Sequence, residues 1–330
     1  MGEKLLVTSS PHLKGPKTVR GLMLDVILSL VPASIAAVVI FGPRSLTVIL
    51  ASVVSAVASE AIFEKAVKRD VTVNDLSAVI TGLLLALTLP PGVRLYVPVV
   101  GSAFAVIVAK QIFGGLGTNF VNPALAGRAF VMAAWPLQLS SKWVAPFTFD
   151  AVSGSTPLAV LRSGQTAIPS ISDILIGNRL GSLGETCVLA LLLGASYLIA
   201  RGVIDWRLPA GYIGAVFAGA WVFGKSGAYF QGDGLTAVLL GGVILGAFFM
   251  ATDYVTSPVT GKGRLYMGIG AGIVTILIRL WGTYPEGVTY GILFMNLVTP
   301  LIDRFMVPRY YGYVHDVSLR RKARAAGRRA

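Results

Sequence analysis

The sequence predicts an all-α polytopic membrane protein of about ten transmembrane helices, arranged as two inverted five-helix repeats. Three observations carry this expectation. Hydrophobic residues make up 55% of the 330 positions, and the mean hydropathy is +0.75. Charged residues make up 13%, against roughly 25% in soluble domains, which is too few to clothe a soluble all-α core of this size. Apolar runs near the ~20 residues that cross a bilayer recur along the whole chain. Lipid offers no partner to exposed backbone groups, so these runs are read as helices.

In order, the spans are predicted over 21–41, 46–64, 75–90, 95–113, 119–136, 184–201, 208–224, 234–252, 265–282 and 287–307. The third and fifth are short; the third ends at Pro90-Pro91, and the fifth contains Pro123 and Arg128. Short or interrupted spans line a site more often than they face lipid. Residues 1–20 are polar, and the apolar run after them is long enough to span, so no cleavable signal peptide is read. One long loop, 137–183, separates a first five-helix unit (21–136) from a second (184–308), and a basic tail follows at 309–330.

The net charge is +13. In a soluble protein that balance would suggest nucleic acid. Here the positive charge sits mostly in short loops and tails, so the implied partner is the lipid bilayer and not nucleic acid. Twenty lysines and arginines, Lys110 among them, fall on the side of the termini. Seven (Arg44, Arg94, Lys142, Arg162, Arg179, Lys225 and Arg279) fall on the other. The positive-inside rule makes both termini cytoplasmic and the long loop external.

Five is odd, so a duplicated five-span unit inserts upside down. Arg94-Leu95-Tyr96 opens the fourth span and Arg264-Leu265-Tyr266 the ninth. A span carrying Asn122-Pro123, or Asn296 with Pro300, follows each. The pairs Gly242/Gly246 and Gly268/Gly272 have the spacing of close helix contacts. Gly268-Ile269-Gly270 lies within a span with no strand before it, which excludes a dinucleotide fingerprint.

No metal-ligand cluster is visible, because His12 and His315 both lie in the tails. The single Cys187 cannot form an internal disulfide or hold an iron–sulfur cluster, and reads as a small buried apolar residue. No nucleophile triad or phosphate-loop lysine supports a hydrolase or an ATPase. Six ionisable residues fall in or at the ends of spans: Asp25, Glu60, Arg128, Glu185, Asp253 and Asp303. A charge at the bilayer centre costs at least ~2.5 kcal/mol. Asp25, Glu60, Glu185 and Asp303 lie near span ends and are read as solvated at the interface. Arg128 lies deeper, and either binds an anion or pairs with a buried acid. Asp253, Asn122 and Asn296 either line a cation pathway or cap and pack helices. The glycine-rich turn of "GGLGTNFVNPALAGRAF" (114–130) either holds phosphate or is a tight turn.

Four stretches together identify a family resemblance: "SSPHLKG" at 9–15, "NPALAGRAF" at 122–130, "DAVSGSTPL" at 150–158 and "TDYVTSPVTGKG" at 252–263. In order and over nearly the whole chain, they resemble the family of the Rnf electron transport complex D subunit. More distantly, they resemble the B subunit of the Na+-translocating NADH:quinone oxidoreductase. The resemblance implies FMN joined through its phosphate to the threonine of a Ser-Gly-(Ala/Ser)-Thr motif. Here that threonine is Thr156, preceded by Ser153, Gly154 and Ser155, with Ser155 where alanine is common. A threonine hydroxyl is a weak nucleophile at neutral pH, so a flavin transferase, which needs an exposed and flexible acceptor, is an implied partner, and Asp150 is expected to aid its recognition. Arg128 and Asn122 complete the candidate cofactor residues.

The resemblance also allows a second, non-covalent flavin (riboflavin or FMN) and implies partner subunits of the A, B, C, E and G types. It implies electron transfer coupled to Na+ or H+ movement in a bacterial cytoplasmic membrane, and a fold like that of urea transporters. The chain is then one subunit of an oxidoreductase and not catalytic alone. Two rivals stay open: a urea-transporter-like channel or permease without a redox role, and a component like the B subunit of the quinone-reducing enzyme. A permease needs no acceptor threonine in an external loop.

Overall fold

The computed structural model of the chain describes residues 18–152, 154, 156–162, 169–224, 229–282 and 286–307. It is helical, with one two-stranded hairpin among the described residues. The first half contains α1 (Val19–Phe41), α2 (Pro43–Ala66), α3 (Ser77–Leu87), α4 (Tyr96–Val106) and α5 (Pro123–Ala134). The loop region adds α6 (Pro136–Ser140), strands β1 (Trp143–Val144) and β2 (Ala151–Val152), α7 (Pro157–Arg162) and α8 (Ile171–Ile176). The second half contains α9 (Val188–Ala200), α10 (Arg207–Phe223), α11 (Gly234–Leu239), α12 (Val243–Leu245), α13 (Gly261–Trp281) and α14 (Val288–Phe305). Helix is present in each of the ten segments expected to be apolar spans. Among the described residues, three helices, α1, α2 and α13, are long and apolar enough to cross a membrane.

Local chemistry sets the boundaries. The Thr18 hydroxyl accepts from the Gly21 amide at 3.1 Å and starts α1. Gly42, at φ +82°, stops it, and Pro43 occupies the first turn of α2. Proline is pre-organised for that position, where its missing N–H costs nothing. α4 runs into a π-helical turn at Ile107–Gln111, and α12 into another at Gly246–Met250.

Within the first half, α2 packs on α3 and α4, and α4 packs on α5. Within the second, α10 packs on α11 and α13, and α13 packs on α14. Between the halves, α1 lies against α9 and α5 against α14. One apolar core runs through both, from Leu30 and Leu85 to Leu191 and Ile292. Small residues permit the closest approaches. A Cβ added at Gly194 on α9 would stand 2.0 Å from the Ser29 carbonyl oxygen of α1. At Gly268 it would stand 2.2 Å from the Leu208 carbonyl oxygen, and at Gly272 2.7 Å from that of Tyr212. The Gly242/Gly246 pair behaves differently. Gly246 packs against Val288, but Gly242 lies in a break. The expected eighth span is interrupted where Leu240 turns extended and Gly241 adopts φ +70°.

α3 has 11 residues, about 16 Å at 1.5 Å per residue, half of a ~30 Å hydrocarbon core. α11 has 6. Both end inside the protein, where their last carbonyls lack intrahelical partners. Buried guanidinium groups supply the missing donors. Arg128 Nη1 donates to the Thr88 oxygen at 2.6 Å, just past α3. Arg279 donates to Ala237 at 2.5 Å and Leu240 at 3.2 Å, and Arg179 to Leu239 at 3.0 Å. Arg179 and Arg279 were expected among the positive charges of the external side. Each is instead 5% exposed, because a helix end without water needs donors.

Candidate functional site

The hairpin carries the acceptor loop. β1 and β2 pair antiparallel, with Trp143 opposite Val152. The Gly92 amide donates to the Lys142 carbonyl at 3.1 Å, and the Phe147 amide to the Ile40 carbonyl at 2.7 Å. The hairpin is thereby fixed to the end of α1 and to the α3–α4 connection. Beyond it, Thr156 heads α7. Its Oγ1 accepts from the Ala159 amide at 3.4 Å, and its carbonyl from the Val160 amide at 3.0 Å. Pro157 follows at the first helical position. The Thr156-Pro157 pair is therefore also a helix start, with threonine as the cap.

Thr156 lies on the wall of a cavity of about 320 Å³. Gly154 and Ala159 join it from the loop, Thr88 and Pro90 from the end of α3, and Arg128 and Met132 from α5. Leu139, Ser140, Trp143 and Ser182 also line it from the loop, and Glu286 comes from just before α14. Arg128 is 8% exposed. Its Nη1 is held by Thr88, its Nη2 forms an ion pair with Glu286, and its Nε has no partner. Arg128 and Glu286 also border a void of about 10 Å³ together with Glu185, Gly242 and Met250.

Of the candidate cofactor residues, the structure brings Thr156, Gly154 and Arg128 together. Thr156 is half-buried, not fully exposed as an enzyme's acceptor was expected to be. Asp150 is exposed and does not line the cavity, although its carbonyl accepts from the Ala145 amide at 2.8 Å. Ser153 and Ser155 lie outside the described residues, as do His12 and His315. Asn122 is elsewhere. It caps α5, accepting from the Leu125 amide at 3.2 Å, and donates to the Met250 carbonyl at 3.0 Å. With its amide oriented to satisfy its neighbours, Asn296 accepts from the Asn122 amide at 3.0 Å and donates to the Ile292 carbonyl at 3.3 Å. The two asparagines matched in the sequence thus meet across the halves. Asn122 also lines an inner cavity of about 90 Å³ with Asn119, Asp253, Ser77 and Lys110. The glycine-rich turn is tight, with Gly114, Gly115 and Gly117 all at positive φ. Cys187 is half-buried, and its thiol faces the Leu175 carbonyl at 3.6 Å.

The acidic residues near span ends are not solvated, Asp303 apart. Glu60 is 0% exposed, and Lys110 Nζ lies 2.5 Å from its Oε1. Lys110 also donates to the Ser77 hydroxyl. Gln111 Nε2 bridges Glu60 at 2.8 Å and Glu64 at 3.2 Å, and Glu64 accepts from the Thr72 amide at 2.9 Å. Lys110 was expected among the positive charges on the side of the termini and is instead buried in this chain of polar groups. Asp25 is buried, pairs with Arg201 at 3.2 Å and accepts from the Tyr197 hydroxyl at 2.9 Å. Glu185 is buried, and its Oε1 accepts from the Ser182 amide at 3.0 Å. Asp303 alone is half-exposed, accepting from the Val259 amide at 3.1 Å. Burial won for the others because each found a donor, which a charge in an apolar interior requires. Sequence patterns missed Glu286 and the roles of Lys110 and Glu64. The spacing of Glu60 and Glu64, four apart on α2, was a usable sign of one acidic helix face.

The family model described as the NQR2, RnfD, RnfE family matches residues 6–312. The chain is 47% identical over 311 residues to the D subunit of the Na+-translocating ferredoxin:NAD+ oxidoreductase complex of Acetobacterium woodii, covering 93% of this chain and 95% of that one. It is 42% identical to the D subunit of the proton-translocating ferredoxin:NAD+ oxidoreductase complex of Clostridium ljungdahlii, covering 93% and 96%. To the D subunit of the ion-translocating oxidoreductase complex of Stutzerimonas stutzeri it is 38% identical, covering 88% and 91%.

Proposed function

Because the chain belongs to the NQR2, RnfD, RnfE family, we propose that it is the D subunit of an ion-translocating ferredoxin:NAD+ oxidoreductase complex. In this reading it carries FMN as a phosphoester on Thr156 and works only with its partner subunits. The observation that carries the reading is the cavity beside Thr156. Its volume of about 320 Å³ suits a planar ring system, with Trp143 and Met132 as apolar walls. The unpartnered, buried Arg128 Nε supplies a donor for an electron-rich edge. Bound FMN would supply the one- and two-electron chemistry. The chain's own residues anchor it, exclude water and fix the charge around it.

The ten helical segments are read as ten crossings in two oppositely inserted, urea-transporter-like repeats. The matching packing of α2 on α4 and α10 on α13, and of α4 on α5 and α13 on α14, supports that duplication. Both termini are assigned to the cytoplasm of a bacterial cell and the Thr156 loop to the outside. The polar chain Thr72–Glu64–Gln111–Glu60–Lys110–Ser77 then offers Na+ or H+ a path from the cytoplasmic face. It joins an open cavity at Glu64 to the inner cavity at Lys110. Asn119, Asn122 and Asp253 in that inner cavity offer hydrogen bonds to a second flavin, but at about 90 Å³ it must widen to admit one.

Membrane vesicles carrying the whole complex test the reading. Reduced ferredoxin should drive both NAD+ reduction and cation movement, and Thr156→Val should lower both at least tenfold. Full coupled activity of the Thr156→Val complex would favour a transport role without redox chemistry.

A further inference from the structure

Arg128 is a buried cation held by groups from both halves of the chain. It belongs to α5 of the first half, whereas its ion-pair partner Glu286 lies 158 residues further along, just before α14 of the second half. Thr88 takes Nη1, Glu286 takes Nη2, and the third N–H group, Nε, is buried and unpartnered. Both side chains form part of the wall that Thr156 shares. A guanidinium with a carboxylate against it projects much less positive charge than one without. Where water is excluded, a single charge next to a redox group is felt strongly. The other ionisable group bordering the same small void is Glu185.

Resting on the flavin reading above, we propose that Glu286 is a positioning residue that orients Arg128 and sets the positive charge it presents to the flavin on Thr156. The pair crosses from one half to the other, so the second half takes part in tuning a cofactor carried by the loop. Removing the carboxylate should favour the reduced, more negative flavin. Removing the guanidinium should disfavour it.

The test is a spectroscopic potentiometric titration of the full chain with its flavin attached, attachment being verified by mass for each variant. Glu286→Gln should raise the midpoint potential and Arg128→Gln should lower it. Lys142→Ala, exposed and not on the cavity wall, should leave it in place. Glu286→Asp, which keeps the charge, should lie closer to the unsubstituted chain than Glu286→Gln does, and it decides the matter if Arg128→Gln fails to fold. Flavin attached in every variant with potentials unmoved, or moved in one common direction, overturns this inference and leaves the flavin reading standing. No flavin on the unsubstituted chain overturns the flavin reading, and this inference with it.

Discussion

Glu60 shows how a buried charge is held in this protein. Its Oε1 accepts from both Lys110 and Gln111, while Oε2 has no partner. Breaking a buried pair by removing one member typically costs about 3–5 kcal/mol, because the other charge is left alone. Lys110→Met should therefore destabilise the chain strongly, and Lys110→Met with Glu60→Met should restore much of the loss. Thermal unfolding in detergent of the single and double variants checks this, and additive losses would refute the coupling. Thr156 and Arg128 were legible in the sequence, one through its Ser-Gly-Ser-Thr motif and the other as a charge deep in an apolar run. Glu286 was not, because "TYPEGVT" reads as an ordinary turn and nothing local ties it to a residue in the other half. Lys110 misled for the opposite reason: a lysine beside a glycine turn looks like an orientation signal.

Among the helices, the long ones and the shortness of α3 and α5 were legible, and the break in the eighth segment was not. α1 and α2 agree with their expected bounds to within a few residues because hydropathy alone defines a full crossing. The eighth segment reads as one apolar run from 234 to 252, yet it breaks at Leu240–Gly242. Hydropathy cannot register such a break, since the donors that make it tolerable, Arg179 and Arg279, come from other segments. The same logic predicts where helix contacts are fragile. Gly194→Val should cost more than the ~1–3 kcal/mol usual for overpacking, because backbone and not a flexible side chain stands 2.0 Å from the added carbon. A melting temperature equal to the unsubstituted chain's would contradict that packing of α1 on α9. Asn122→Ala removes a cap of about 1 kcal/mol and also strands the Met250 carbonyl between the halves. Its melting temperature should fall further than that of Thr18→Ala, which loses only a cap at an exposed helix start.

Across the molecule as one body, two halves share one core and meet at Asn122–Asn296 and Arg128–Glu286. An inverted duplication requires the Thr156 loop and the termini to lie on opposite sides of the membrane. Reporters fused after residue 160 and at the C-terminus should give external and cytoplasmic signals respectively, and signals from one side would overturn the ten-crossing topology. Covalent FMN on Thr156 is decided by the intact mass of the full chain co-expressed with an active flavin transferase, beside Thr156→Val. A mass increase of one FMN less water is expected on the unsubstituted chain and none on the variant. An unmodified chain, with the transferase active on another substrate in the same cells, would contradict the assignment of this protein as a covalent flavoprotein.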